Sequence, residues 1–139
     1  MKIRKTYKKD LKEISQLYNK IMSPIFLKVG EKPISSDKYF KILNKNLRNS
    51  FMFVLEGNGI KGFIWFTMKS KEYNLEEIFV LDKNMGYGKV LMNYLLKSAK
   101  KNKINKINLD VHQKNYQAIN FFNKFRFTKR TIEMSRELR

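Results

Sequence analysis

Two runs of aromatic and β-branched residues, Phe51 to Glu56 (FMFVLE) and Lys61 to Met68 (KGFIWFTM), flank Gly57-Asn58-Gly59-Ile60. Such residues favour a pleated, half-buried surface, and Asn-Gly suits the positive backbone angles of a tight turn. The pair predicts a β-hairpin, and the rest of the chain must pack around the sheet it starts. Leu75 to Leu81 (LEEIFVL) predicts a third strand. Ile104 to His112, alternating Ile107, Leu109 and Val111, predicts another, and Phe125 to Glu137 a last pair. Apolar residues elsewhere recur at helical spacing. Leu11, Ile14, Leu17, Tyr18 and Ile21 do so within residues 10–22, with Asp10 as N-cap. Ser35-Ser36-Asp37 opens a second helix through Tyr39, Phe40, Ile42, Leu43 and Leu47. A third runs from about Tyr87 to Lys101, and a fourth from Asn115 to Lys124 through Ala118, Ile119 and Phe122. The order α-α-β-β-β-α-β-α-β specifies an α/β (α+β) mixed sheet with helices on its faces.

At 139 residues the chain has the size of one domain, 1–139, and no repeat or linker divides it. Hydrophobic residues at 42% fit a globular protein, and the apolar runs are too short to span a bilayer. The N-terminus lacks the apolar stretch of a signal peptide, so a soluble cytoplasmic protein is expected. Zero cysteines exclude thiolate metal sites and a cysteine nucleophile, and one histidine, His112, excludes a multi-histidine centre. No metal is expected. The net charge of +18 has two readings. Clustered lysines bind polyanions by counterion release. Here, however, lysines occur in almost every segment, with no basic tail or aromatic-interleaved helix. We read them as a solvated compositional bias that still favours an anionic ligand; nucleic acid is not the expected partner.

The glycines at Gly86-Tyr87-Gly88 fall between a strand and a helix. The first amides of a helix lack intrahelical partners and carry its positive pole, and glycine lets backbone approach an anion closely. Lys83 and Lys89 add charge. A literal G-x-G-x-x-G also occurs at Gly57 to Gly62, but between two strands, with no helix N-terminus to offer a dinucleotide. The P-loop pattern fails because Val90, without a hydroxyl, follows Gly88-Lys89. Spacing alone leaves two readings of Gly86 and Gly88: an anion site or a tight turn.

Lys83-Asn84-Met85-Gly86-Tyr87-Gly88 resembles the Q/R-x-x-G-x-G/A signature of the GNAT superfamily of N-acetyltransferases. Asn115-Tyr116-Gln117-Ala118-Ile119-Asn120-Phe121-Phe122-Asn123-Lys124-Phe125-Arg126-Phe127 is similar to the family pattern N-x-x-A-x-x-F/L-Y-x-K-x-G-F. The N-terminal Ile3-Arg4-Lys5 and Asp10 to Ile14 resemble the family's first strand and helix, so the resemblance covers nearly the whole chain. It implies a mostly antiparallel mixed sheet with a splayed cleft for acetyl-CoA as cosubstrate. It implies that Lys83, Asn84, Met85, Gly86, Tyr87, Gly88 and Lys89 surround the pyrophosphate. Phe79, Val80 and Leu81 are expected beside the pantetheine arm, with Val80 or Leu81 supplying an amide to the oxyanion. Four departures stand out: Lys83 replaces Gln or Arg, the loop before it is shorter by about two residues and lacks proline, Arg126 replaces glycine, and Phe122 replaces the tyrosine that protonates the departing thiolate.

Acetyl transfer to an amine needs a proton acceptor and a donor to the oxyanion. Glu77 resembles the strand glutamate that serves as base in the histone acetyltransferase branch. Strand alternation would turn Glu76 and Glu77 to opposite faces, so only one reaches the cleft. Asn115 is expected to bond the cosubstrate or a water, or to act as a plain N-cap. Tyr116 is the nearest phenol to stand in as acid, Phe122 is expected to line the cosubstrate cleft, and His112 reads as a strand-edge residue. The expected activity is transfer of acetyl to a primary amine of a small molecule or protein by direct attack. The alternative is a basic acyl-CoA- or nucleic-acid-binding module on the same fold without efficient catalysis. A homodimer remains open.

Overall fold

The hairpin forms and lies at the centre of the sheet. In the computed structural model, which describes residues 1–138, β2 (Phe51–Gly57) and β3 (Gly59–Lys69) pair antiparallel, with Gly57 opposite Gly59 and Asn58 alone at the tip. Gly59 has φ +87°, a conformation that glycine enters without a Cβ clash. β1 (Lys2–Lys5) pairs antiparallel with β2, and β4 (Glu72–Val80) antiparallel with β3. The short β5 (Lys106–Asn108) lies parallel to β4, giving the order β1-β2-β3-β4-β5.

Helices cover both faces. α1 (Leu11–Lys28) and α2 (Ser36–Asn46) lay Leu11, Ile14, Tyr18, Tyr39 and Leu43 on Met52, Val54, Phe63, Trp65 and Phe79. α3 (Tyr87–Lys101) and α4 (Tyr116–Lys124) lay Leu91, Met92, Leu95, Ala99 and Phe122 on Leu55, Ile64, Phe66, Tyr73 and Leu75. β2, β3 and β4 thus send side chains from opposite faces into two separate cores.

Four expectations need correction. The pair of strands expected over Phe125 to Glu137 does not form: Phe125 and Arg126 close α4, and residues 128–138 carry no regular secondary structure. The strand expected over 104–112 contracts to Lys106–Asn108 because β4 turns away from it beyond Asn74. β4 begins three residues earlier than its apolar run, since Ser70 and Lys71, with φ of 51° and 62°, form a tight turn that returns the chain onto β3. Asp10 does not cap α1 through its side chain. Its carboxylate accepts both Nη groups of Arg4, at 2.9 Å each, and the Tyr7 amide at 2.8 Å.

Candidate active site

The site begins with one extra residue in β4. Trp65 stands opposite Glu77, while its neighbour Phe66 stands opposite Leu75, so Glu76 has no partner on β3. A bulge of this kind bends the strand that carries it. β5 follows β4 only along Glu72–Asn74. Beyond that the two diverge around a cleft of about 100 Å³, lined by Glu76, Glu77 and Ile78 on one side, Leu109 and Asp110 on the other, and Ala118 and Phe122 from α4.

The backbone of β4 beside this gap has a definite polarity. The Leu81 amide donates to the Lys61 carbonyl at 2.8 Å, which makes 61 and 81 a hydrogen-bonded pair. Antiparallel ladders alternate bonded and non-bonded pairs, so the polar backbone groups of Phe79 also face β3, whereas those of Ile78 and Val80 face the gap. Of the three residues expected along the pantetheine arm, only Val80 offers a free amide there. Ile78 was missed, although strand parity with Val80 would have found it.

The bulge also overturns the expectation that Glu76 and Glu77 diverge. Both line the cleft. The Glu76 carboxylate accepts hydrogen bonds from Thr67 and Asn74, which share the α1/α2 side of the sheet. By strand parity with Phe79, Glu77 enters the same side, the one on which Tyr18 and Tyr39 pack, keeping part of its surface open to the cleft. Desolvation of its carboxyl pushes the pKa up to about 8; the nearby Tyr39 hydroxyl opposes the rise and Glu76 adds to it. Burial likewise raises the phenols of Tyr18 and Tyr39 above their ordinary range, with Glu77 a further cause in both.

At the next turn, Gly86 adopts φ +80° and precedes α3 without a side-chain cap, and Asn84 is left-handed as well, at 64°. The first intrahelical bond runs from the Val90 amide to the Gly86 carbonyl, so the amides of Tyr87, Gly88 and Lys89 have no helical partner. No acidic residue lies in the first turn. Lys83 reaches across to Gln117 of α4, Nζ to Oε1 3.1 Å, and Met85 is exposed. Gly88 lies against the ring of Phe121. The two readings of these glycines are therefore compatible: each answers a local steric demand, and together they leave a row of free amides.

On α4, Asn115 caps the helix, its Oδ1 accepting the Ala118 amide at 3.2 Å. Phe122 lines the cleft. Tyr116 is 67% exposed, two residues from Ala118 and so turned from the face that Ala118 presents. His112 pairs with Glu31, Nε2 to Oε1 3.6 Å, outside the cleft. Among the described residues no group of three or more His, Cys, Asp or Glu side chains is placed to hold a metal, and no helix is long and apolar enough to cross a membrane.

The sheet is thus mixed and split between β4 and β5, and a glycine turn after β4 leads into the free amides that open α3. The acetyltransferase (GNAT) family model matches residues 11–127, and the chain belongs to that family. No curated protein sequence matches it. Solved structures share the fold at low identity. A point mutant of the BH1408 protein from Bacillus halodurans superposes with TM-score 0.80 at 15% identity, covering 99% of each chain. The PaiA N-acetyltransferase from Thermoplasma acidophilum, in complex with coenzyme A, gives 0.74 at 18%, covering 89% of this chain and 87% of that one. An N-acetyltransferase from Staphylococcus aureus gives 0.73 at 24%, covering 91% and 82%.

Proposed function

We propose that this chain is an acetyl-CoA-dependent N-acetyltransferase that acetylates a primary amine by direct attack, with Glu77 as the base. One observation carries the reading: a desolvated carboxyl lies in the split of the sheet, next to Ile78 and on the same strand as Val80, whose amides face the same gap. A base whose pKa lies near the working pH has both driving force and the right protonation state.

The residues present suit the cosubstrate. The free amides of Tyr87, Gly88 and Lys89, with the charges of Lys83 and Lys89, would hold a pyrophosphate. Val80 and Ile78 would pair with the pantetheine amides and donate to the carbonyl oxygen as negative charge develops on it. Acetyl-CoA supplies the activated acyl group. Glu77 then takes the proton that the amine loses on forming its new bond. In the other direction no phenol is among the described residues that line the cleft: Phe122 lines it and Tyr116 does not. Glu77, once protonated, is the group placed to return a proton.

The cleft carries Glu76, Glu77 and Asp110 and no cationic side chain among the described residues. That potential favours an ammonium without an adjacent carboxylate, so alkylamines should outrun free amino acids. The test is thermal shift with acetyl-CoA, followed by thiol release across a panel of both kinds of amine, for wild type and Glu77→Gln. The reading predicts that Glu77→Gln keeps the acetyl-CoA shift and loses turnover. A panel on which wild type releases no thiol above the solvent rate would overturn it.

A further inference from the structure

Two buried side-chain hydroxyls among the described residues have no hydrogen-bond partner, those of Thr6 and Tyr39. Tyr39 is the one beside the cleft. Only 3% of its surface is exposed, and its ring stacks flat on Tyr18 of α1, with centroids 3.6 Å apart and planes within 8°. Tyr18 in turn meets Phe79 of β4 edge-on at 6.1 Å. This clamp keeps the Tyr39 hydroxyl from swinging out to water. A buried hydroxyl without a partner is a net cost to folding, and phenylalanine would fill the same space without it. Glu77 stands two residues before Phe79 on the face of β4 that this aromatic pair covers, and its charge adds to the rise in the Tyr39 pKa.

We propose that Tyr39 is a positioning residue for Glu77: its hydroxyl donates to the ionised carboxylate, fixes one oxygen, and leaves the other free to take the proton of a primary amine. The proposal rests on Glu77 being the base. No redox or covalent change is involved; one proton passes from the amine nitrogen to Glu77, and the Tyr39 hydroxyl keeps its own. The ionisable groups that face Glu77 are Tyr18 from α1, Tyr39 from α2 and Glu76 on β4 itself, with Asp110 beyond β5 across the same cleft. None of these is cationic among the described residues, so the proposed bond from the Tyr39 hydroxyl is what would favour the charged form of Glu77. A hydrogen bond to the charged form of an acid favours ionisation, and its loss must move the titration upward.

The experiment titrates the carboxyl directly. Protein labelled with ¹³C at glutamate side chains is followed by NMR from pH 5 to 10 for wild type and Tyr39→Phe, with Glu77→Gln supplying the assignment. The expected result is a Glu77 midpoint that rises in Tyr39→Phe by about half a unit, roughly threefold in acid constant, with a melting temperature equal to or above wild type. The pH profile of kcat/KM for an amine that wild type turns over should move by the same interval, with KM for acetyl-CoA unchanged. An unmoved midpoint in a folded Tyr39→Phe protein overturns the positioning role and leaves Glu77 as base intact. Full activity in Glu77→Gln overturns both.

Discussion

Gly88 brings its bare Cα against the ring of Phe121, so that a Cβ at this position would stand 3.1 Å from the ring edge. α3 and α4 approach closely here because glycine leaves room. Gly88→Ala should therefore destabilise by about 1–3 kcal/mol through overpacking, with Phe121→Leu in the same chain recovering part of the loss. Gly86 is different: nothing lies within 4 Å of its missing Cβ, but φ is +80°. Gly86→Ala should cost about 1–2 kcal/mol from backbone strain alone, and no partner substitution should rescue it. Urea denaturation of the three variants separates the two causes.

Two helices end on a left-handed residue that is not glycine. At the end of α4 the Phe127 amide donates to Phe122, and the Arg126 amide to Asn123, around Arg126 at φ 69°. At the end of α3 the Ile104 amide donates to Ala99, and the Lys103 amide to Lys100, around Lys103 at 54°. This is the Schellman arrangement, whose left-handed position suits glycine. Arg126→Gly and Lys103→Gly should each stabilise the fold by about 0.5–1 kcal/mol, the strain relieved less the entropy glycine adds to the unfolded chain. Thermal melts read the gain, and it should be additive because the two sites lie on different helices.

These examples mark what a sequence can show. The hairpin was legible because aromatic runs and Asn-Gly are local signals. α3 was legible because its apolar spacing and the glycines before it agree, and it spans Tyr87–Lys101 as expected. The face of Glu76 was not legible. Strict alternation assigns it away from Glu77, and one unpaired residue in a ladder reverses that assignment without leaving a mark in composition. The orientation of the Leu81 amide was hidden for the same reason, since it depends on which β3 carbonyl lies opposite. Tyr39 read as an ordinary core aromatic at helical spacing. Only the packing of its ring with Tyr18 over the Phe79 face of β4 shows that its hydroxyl is buried without a partner on the side of the sheet that Glu77 enters.

Arg4 joins β1 to two carboxylates, forking onto Asp10 at 2.9 Å and Glu56 at 3.0 Å. Asp10 is nearly buried, and its bonds with Arg4 hold its pKa below the ordinary carboxylate range. Removing the guanidinium leaves that charge unpaired, so Arg4→Met should cost about 3 kcal/mol. Arg4→Lys keeps the charge without the fork and should recover less than half of it. The pH dependence has a fixed sign. A depressed folded pKa stabilises above the unfolded value of Asp10, and that contribution fades as pH falls through the folded value. The gap between wild type and Arg4→Met in urea titrations should therefore be widest near neutrality and narrow below about pH 4.

Glu77 imposes the opposite slope. Its folded pKa of about 8 lies above the ordinary glutamate value, so between those limits the folded chain holds a proton that the unfolded chain has released. Its stabilising contribution is complete below the unfolded pKa, declines by up to about 1.4 kcal/mol per pH unit as pH rises, and is gone above the folded value. Glu77→Gln carries no such proton. The variant should match wild type near pH 5 and become the more stable of the two by pH 8, read as crossing urea midpoints. Activity runs the other way, because the base must be ionised: turnover should climb through the interval in which stability falls and level off above pH 8. A flat difference between wild type and Glu77→Gln across pH 5–9 would show that this carboxyl titrates as an exposed one does, and would remove the physical ground for its role as base.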